Sequence, residues 1–257
     1  MATEWRLWVD RTPRPGWANM AIDQTLLERA AVGERWLRLY GWAPSCLSFG
    51  RHEPASRRYD AARIAALGMD VVRRPTGGRA VWHDREVTYT VACPGGLGSL
   101  RESYTAIHSM IRDALRSLGV PAELAPPHAA AGVDAGACFA TPAGGEIMVA
   151  GRKVVGSAQL RQGDALLQHG SILLGDDQER VGAVTRGLAP ADLAAPLRSI
   201  LDACLDEDDV IDAVTLTAAR RWRGDWRSDD QPDDIVSASE RHAPRFRSDE
   251  WTWGAGA

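Results

Sequence analysis

The sequence predicts an α+β fold in which mixed, mostly antiparallel β-sheets pack against helices. Three observations carry this. Short apolar strands come in hairpin-like groups with helices between the groups, not in the strict alternation of a doubly wound parallel sheet. Residues 146–150, 153–161 and 165–174 read as three consecutive strands, joined at Gly151 and at Gln162-Gly163-Asp164 as antiparallel hairpins. Residues 100–118 carry Tyr104, Ile107, Ile111, Leu115 and Leu118 at steps of three to four, the period of a helix with one buried face.

Taken in order, residues 5–9 are short, apolar and aromatic, a first strand, and residues 11–16 are a Pro-rich loop. Residues 19–31 place Met20, Asp23, Leu27 and Ala30 at helical spacing, and Gly33 stops that helix. Residues 35–42 and 46–50 are strands separated by Pro44. An Ala-rich helix over 59–67 ends at Gly68, and a strand over 69–74 runs into the tight turn Pro75-Thr76-Gly77-Gly78. Residues 79–83 and 86–93 are two further strands. Ser99 and Glu102 form a capping box that opens the helix over 100–118, which Gly119 ends. Residues 121–136 are rich in Pro, Ala and Gly and read as a loop that delivers Cys138. Residues 193–221 read as two helices broken near 206–209. From Arg223 the chain turns polar and acidic and ends in Trp251 and Trp253. The expected organisation is a catalytic domain over 1–222 and a tail over 223–257, packed through its tryptophans or partly disordered.

Composition narrows the function classes. The chain of 257 residues is 45% hydrophobic with a net charge of −4, so a nucleic-acid partner has no overall electrostatic support. No stretch reads as a leader peptide and no apolar run is long enough to span a membrane, so the expected compartment is the cytoplasm. Cys46, Cys93, Cys138 and Cys204 are far apart, which excludes zinc-ribbon and C-x-x-C redox motifs. Cys46, Cys93 and Cys204 are expected to be small buried hydrophobes.

Of the 30 lysines and arginines, Lys153 is the one lysine. Lysine is a compact, rotatable donor whose pKa falls on burial, whereas arginine is a fixed planar fork, so a site can require the former. Three constellations surround it. Arg73-Arg74-Pro75-Thr76-Gly77-Gly78-Arg79 sends a strand through paired glycines flanked by arginines, which suits backbone approach to an anion or carbonyl and suits a surface hairpin equally. Cys138 with Lys153 or His169 could make a thiolate nucleophile, since a thiol needs a neighbouring cation or base. A lone loop cysteine is more often structural. Within Gln168-His169-Gly170-Ser171, alternation puts His169 and Ser171 on one face, and Gly170 marks close approach by a backbone or ligand. His83, Cys138 and His169 lack the spacing of a metal site, and no metal is expected.

Together these motifs resemble the lipoate/biotin protein ligase superfamily. Arg73-Arg74-x-Thr76-Gly77-Gly78-x-x-Val81-x-His83-Asp84 is similar to its ligand-binding signature. Gly151-Arg152-Lys153-Val154-Val155-Gly156-Ser157-Ala158-Gln159 is similar to the segment that carries its lysine, and Leu167-Gln168-His169-Gly170-Ser171-Ile172-Leu173 to the strand that follows. Asn19-Met20-Ala21-Ile22-Asp23 resembles the first-helix pattern, with Gln24 where an acid is common. Arg79 in place of a third glycine, Arg85-Glu86 after His83-Asp84, and Cys138-Phe139 are similar to the cysteine-dependent octanoyltransferases rather than to ATP-dependent lipoate ligases.

The resemblance implies a class II biotinyl/lipoyl protein ligase-like catalytic domain and an acyltransferase of lipoate assembly. It would move octanoate from octanoyl-acyl carrier protein to a lysine of a lipoyl domain or glycine cleavage H protein through a Cys138 thioester, with Lys153 as the second catalytic residue. Arg73, Thr76, Gly77, Gly78, Arg79, His83, Gly156, Ser157, Ala158, His169 and Gly170 would bind substrate. No cofactor is implied; ATP and Mg would enter only in the alternatives' ligase form. Those alternatives are an ATP-dependent lipoate-protein ligase and an amidotransferase between lipoyl domains. Arg51, Arg57, Arg58, Arg73 and Arg74 are candidates to receive acidic carriers, and the protein is expected to be a monomer.

Overall fold

The computed structural model of the chain describes residues 3–126, 144–188, 198–199 and 205–254. The first half holds β1 (Glu4–Arg14), α1 (Gly16–Ala31), β2 (Trp36–Trp42), β3 (Cys46–Phe49), α2 (Ala55–Arg58), α3 (Ala61–Ala66), β4 (Asp70–Arg73), β5 (Val81–His83), β6 (Glu86–Pro94), α4 (Leu100–Ser117) and β7 (Glu123–Leu124). The second half holds β8 (Ile147–Val149), β9 (Arg152–Gln162), β10 (Ala165–Leu173), β11 (Gly175–Asp176), α5 (Glu179–Val184), β12 (Arg198–Ser199), α6 (Glu207–Arg221) and β13 (Asp225–Ser228). Three short helices follow: α7 (Asp233–Ser239), α8 (Ala243–Arg247) and α9 (Asp249–Trp253).

An eight-stranded sheet runs in the order β13-β1-β2-β6-β10-β9-β8-β7, parallel where β1 meets β2 and β13, and antiparallel at its other pairings. A second sheet, β4-β3-β5, stands apart from it. Helices α4 and α6 cover one face of the large sheet, where Ile107, Ile111, Val91, Val155 and Val210 share a core. The other face carries α1 over Trp8, Trp36 and Leu167. Because α1 lies between the large sheet on one side and β4, α7 and α8 on the other, most of its surface is buried rather than one stripe. Each aliphatic side chain so buried contributes about 1.5–3 kcal/mol. The Ser99–Glu102 capping box opens α4 as the sequence pattern requires.

Several expectations need correction. Strand β1 extends to Arg14 through the expected loop, because a register shift between Asp10 and Arg14 absorbs Pro13, which cannot donate to a ladder. The helix expected over 59–67 is two pieces: Tyr59 is extended and bridges Thr185, and Asp60 then caps α3 through its side chain. Arg198–Ser199 is a strand paired with Gly175–Asp176, not part of a helix; a backbone partner outweighs the local helix propensity of its neighbours.

The tail is tied in along its described length. Strand β13 adds an edge beside β1, and there Trp5 stacks on both Trp222 and Trp226, at 4.7 and 5.5 Å. Farther on, Trp253 packs against Phe49. Cys46 and Cys93 are buried free thiols. Among the described residues no helix is long and apolar enough to cross a membrane.

Candidate active site

Residues of the glycine-turn and His169 constellations meet around one cavity between α1, the small sheet and the middle of the large sheet. Its empty space, part of it open to solvent, is about 420 Å³. Met20, Tyr40, Trp42, Val81 and Ala158 give it apolar walls; Gly78, His83, Gly156, Ser157, His169 and Gly170 also line it, among other residues. Antiparallel pairing sets His169 opposite Ala158 and Ser171 opposite Gly156, so β9 and β10 line it side by side.

Both histidines of the cavity have their ring nitrogens occupied by protein. His169 Nδ1 lies 2.7 Å from Asp23 Oδ2 and its Nε2 lies 2.6 Å from Thr76 Oγ1. A carboxylate only accepts, so in the neutral ring Nδ1 carries the proton and Nε2 accepts from the threonine. Asp23 is held in turn by Thr90 Oγ1 at 2.8 Å and by the buried Arg38. His83 repeats the arrangement, with Nδ1 at 2.7 Å from Glu86 Oε1 and Nε2 at 2.7 Å from Ser48 Oγ. Its ring stacks on Trp42 at 4.0 Å. The two rings therefore serve as flat walls, and their nitrogens fasten the Thr76 turn to α1 and β5 to β3.

Lys153 is buried, and its Nζ donates to Glu146 Oε1 at 2.5 Å. Its charge also reaches His108 on α4, whose pKa is pushed down to about 4, first by burial. Neutral His108 places Nδ1 2.8 Å from the Gly145 carbonyl, which can only accept, so Nε2 accepts from Ser157 Oγ at 2.8 Å. Ser157 Oγ then accepts from Tyr89 at 2.7 Å, and Tyr89 from Gln168 Nε2 at 2.8 Å. A one-directional chain of hydrogen bonds thus runs from β10 through the cavity wall to the residue before Glu146. Gly170 makes room for it: a Cβ there would stand 2.3 Å from Ser157 Oγ and 2.5 Å from the Gly156 carbonyl. The close approach expected at Gly170 is that of the neighbouring strand.

The glycine turn is shaped by contact with β3. Gly78 has φ +93°, a conformation that favours glycine, and a Cβ on Gly50 would lie 1.8 Å from the Gly78 carbonyl. Gly77 is different, since a Cβ there would meet nothing within 4 Å. Arg74 lines the cavity and holds the turn by donating to the carbonyls of Ser48, Gly77 and Arg79. Arg79 is half-buried beside it and outside the cavity lining.

Arg73 is fully buried. Its guanidinium donates to the carbonyls of Gly50, Arg51 and Glu53, and to those of Trp251, Thr252 and Gly254 in the tail. It pins the tail to β4, and Nε, Nη1 and Nη2 all donate to backbone carbonyls outside the cavity lining. Neither Arg73 nor Arg74 is exposed enough to receive a carrier protein. Cys138 and Cys204 lie outside the described residues. The sequence reading missed Glu146, His108 and Glu86. Glu146 sits just after paired glycines and Glu86 two residues past His83-Asp84, but His108 falls on the α4 face that otherwise reads as core, and no spacing signals it.

Comparison with known proteins fits this geometry. The family model for the lipoyl protein ligase A/B catalytic domain matches residues 15–218. The octanoyltransferase LipM of Kyrpidia tusciae is 46% identical over 179 residues, 65% of this chain and 65% of that protein. Its counterpart in Carboxydothermus hydrogenoformans is 40% identical over 71% of this chain and 69% of its own length. A crystal structure of lipoate-protein ligase A bound with ATP superposes with a TM-score of 0.80 at 21% identity, covering 98% of this chain and 99% of that one, which bears on the fold alone. With a family model spanning most of its length and the family's motif strands gathered on one cavity, the chain belongs to the lipoyl protein ligase A/B catalytic-domain family.

Proposed function

We propose that the protein is an octanoyltransferase of lipoate assembly acting on lipoyl-domain proteins. The observation that carries the reading is the apolar cavity between Met20, Tyr40, Trp42 and Val81, in a chain similar to octanoyltransferases. Each methylene it takes from water contributes about 0.8 kcal/mol, so an eight-carbon tail is held firmly and chain length is discriminated coarsely.

In this proposal Cys138 is the nucleophile. Its thiolate attacks the thioester carbonyl of octanoyl-acyl carrier protein. A new carbon–sulfur bond forms at Cys138, and the bond to the carrier's thiol breaks, releasing that thiol. The amine of a lysine on a lipoyl domain or H protein then attacks the Cys138 thioester. An amide forms, the amine loses a proton, and the thiol is regenerated. Lys153 lowers the thiol pKa and stabilises the negative charge that builds on the acyl oxygen. Its partner Glu146 fixes the ammonium in place. The backbone at Gly77 and Gly78 supplies further donors.

Neither ATP nor a metal is needed, because the thioester already carries the activation. The test is transfer of octanoate from octanoyl-acyl carrier protein to a lipoyl domain, with and without ATP. Transfer without ATP supports the proposal. Modification that requires ATP and free octanoate or lipoate makes the protein a ligase instead.

A further inference from the structure

A second groove runs alongside the cavity. It shares β9, with Leu160 and Arg161 two and three residues beyond Ala158, and its far wall is Arg51, His242 and Arg245. Arg51 is fixed at the turn: its N–H donates to the Thr76 carbonyl at 2.8 Å, and its carbonyl accepts from Arg73 at 3.0 Å. Arg245 lies over the Trp251 ring at 3.7 Å, which places its guanidinium in advance, while the main chain that carries Arg51 is anchored.

The charges here do not balance. Elsewhere buried arginines have carboxylate partners, as Arg38 faces Asp10 and Arg58 faces Glu53, or spend their donors on backbone carbonyls, as Arg73 and Arg74 do. Among the described residues, Arg51, Arg161 and Arg245 pair with no carboxylate. Arg161 donates only to the carbonyls of Gly95 and Gly98. Glu28, the acid of the groove, is shared by Arg241 and His242. Arg51 Nε is buried without a partner. Burial, and then the charge of Arg51, depress the pKa of Arg245. Like charges held together beside a substrate cavity are relieved by an anion, and paired guanidiniums match an anion with several oxygens.

We infer that Arg51 and Arg245 form a phosphate subsite that takes the phosphodiester of the pantetheine arm on the acyl donor. This rests on the octanoyltransferase reading, in which the acyl chain enters the cavity and the arm leaves along its rim. Arg161 adds charge at the open end of the groove.

The test compares three donors: octanoyl-acyl carrier protein, octanoyl-phosphopantetheine and octanoyl-pantetheine. The readout is the ratio of kcat/KM for the phosphorylated over the unphosphorylated small donor. In the parent protein the expected ratio is roughly ten- to a hundredfold, the range for hydrogen bonds to a charged group. In the double variant Arg51→Gln, Arg245→Gln it falls close to one. A ratio unchanged by the substitutions overturns the inference while leaving the enzyme reading intact. A loss confined to the carrier-protein donor also overturns it, assigning the groove to acidic side chains of the carrier. If the parent protein transfers from none of the three, the enzyme reading and the subsite fall together.

Discussion

Substituting Gly170→Ala tests the packing that builds the cavity wall. The new Cβ would stand 2.3 Å from Ser157 Oγ, 2.5 Å from the Gly156 carbonyl and 2.9 Å from Ser157 Cβ. The carbonyl belongs to β9 and cannot rotate away. Ser157 could turn, but its hydroxyl is held by Tyr89 and His108, and turning it breaks both bonds. Overpacking of this kind costs about 1–3 kcal/mol, and each net hydrogen bond lost adds about 1 kcal/mol. A total of about 3–5 kcal/mol lowers the melting temperature by roughly 6–20 °C in a chain of this size. Thermal unfolding followed by far-ultraviolet circular dichroism reads it directly. The same substitution slows octanoyl transfer at temperatures where the protein is folded, because Ser157 no longer holds its place in the wall. A melting temperature within about 1 °C of the parent would refute both the close approach of β9 and the locked serine.

Gly77→Ala is the opposite case: its Cβ meets nothing within 4 Å, so melting stays unchanged while acyl transfer falls, if the backbone there faces substrate. Lys153→Arg keeps the charge beside Glu146 but loses acyl transfer, measured as product on a lipoyl domain; turnover like the parent's would remove Lys153 from the mechanism. Asp177 has its pKa pushed up to about 7, first by burial and then by Glu86 and Asp84. The unfolded chain ionises this group near pH 4, so between about pH 4 and 7 the folded state holds the extra proton and stability is lost as pH rises. Asp177→Asn is therefore more stable than the parent by a margin that grows from pH 4 to 7 and then levels off, on the order of a few kcal/mol; urea titrations across that range measure it. His108 works in the other direction. With its pKa down at about 4, it removes stability as pH falls from about 6.5 towards 4, and His108→Gln loses that dependence in the same titrations.

The strands and long helices were legible because their signals are local. The alternation in residues 165–174 correctly put His169 and Ser171 on one face, and the Ser99–Glu102 box marked where α4 begins. Long-range partnerships were not legible. Arg73 looked like an anion ligand, and only the fold reveals that its guanidinium is consumed by carbonyls, those of Gly50, Arg51 and Glu53 nearby and those of Trp251, Thr252 and Gly254, 178 to 181 residues away in the chain. His108 looked like core, since it shares a helix with Ile107 and Ile111, and its role follows from Ser157 and Gly145 arriving from other segments. Gly170 was legible as a close approach, but not as the approach of β9. The groove lined by Arg51 and Arg245 joins residues from opposite ends of the sequence, which no motif could bring together.

The most direct measurement is intact-mass analysis of the protein after mixing with octanoyl-acyl carrier protein in the absence of ATP, beside the Cys138→Ala variant. A cysteine-dependent octanoyltransferase shows one octanoyl adduct on the parent and none on the variant, and the adduct disappears when a lipoyl domain is added. No adduct under these conditions, with acyl-adenylate formed once octanoate or lipoate and ATP are supplied, would contradict the thioester route and leave Cys138 without a catalytic part.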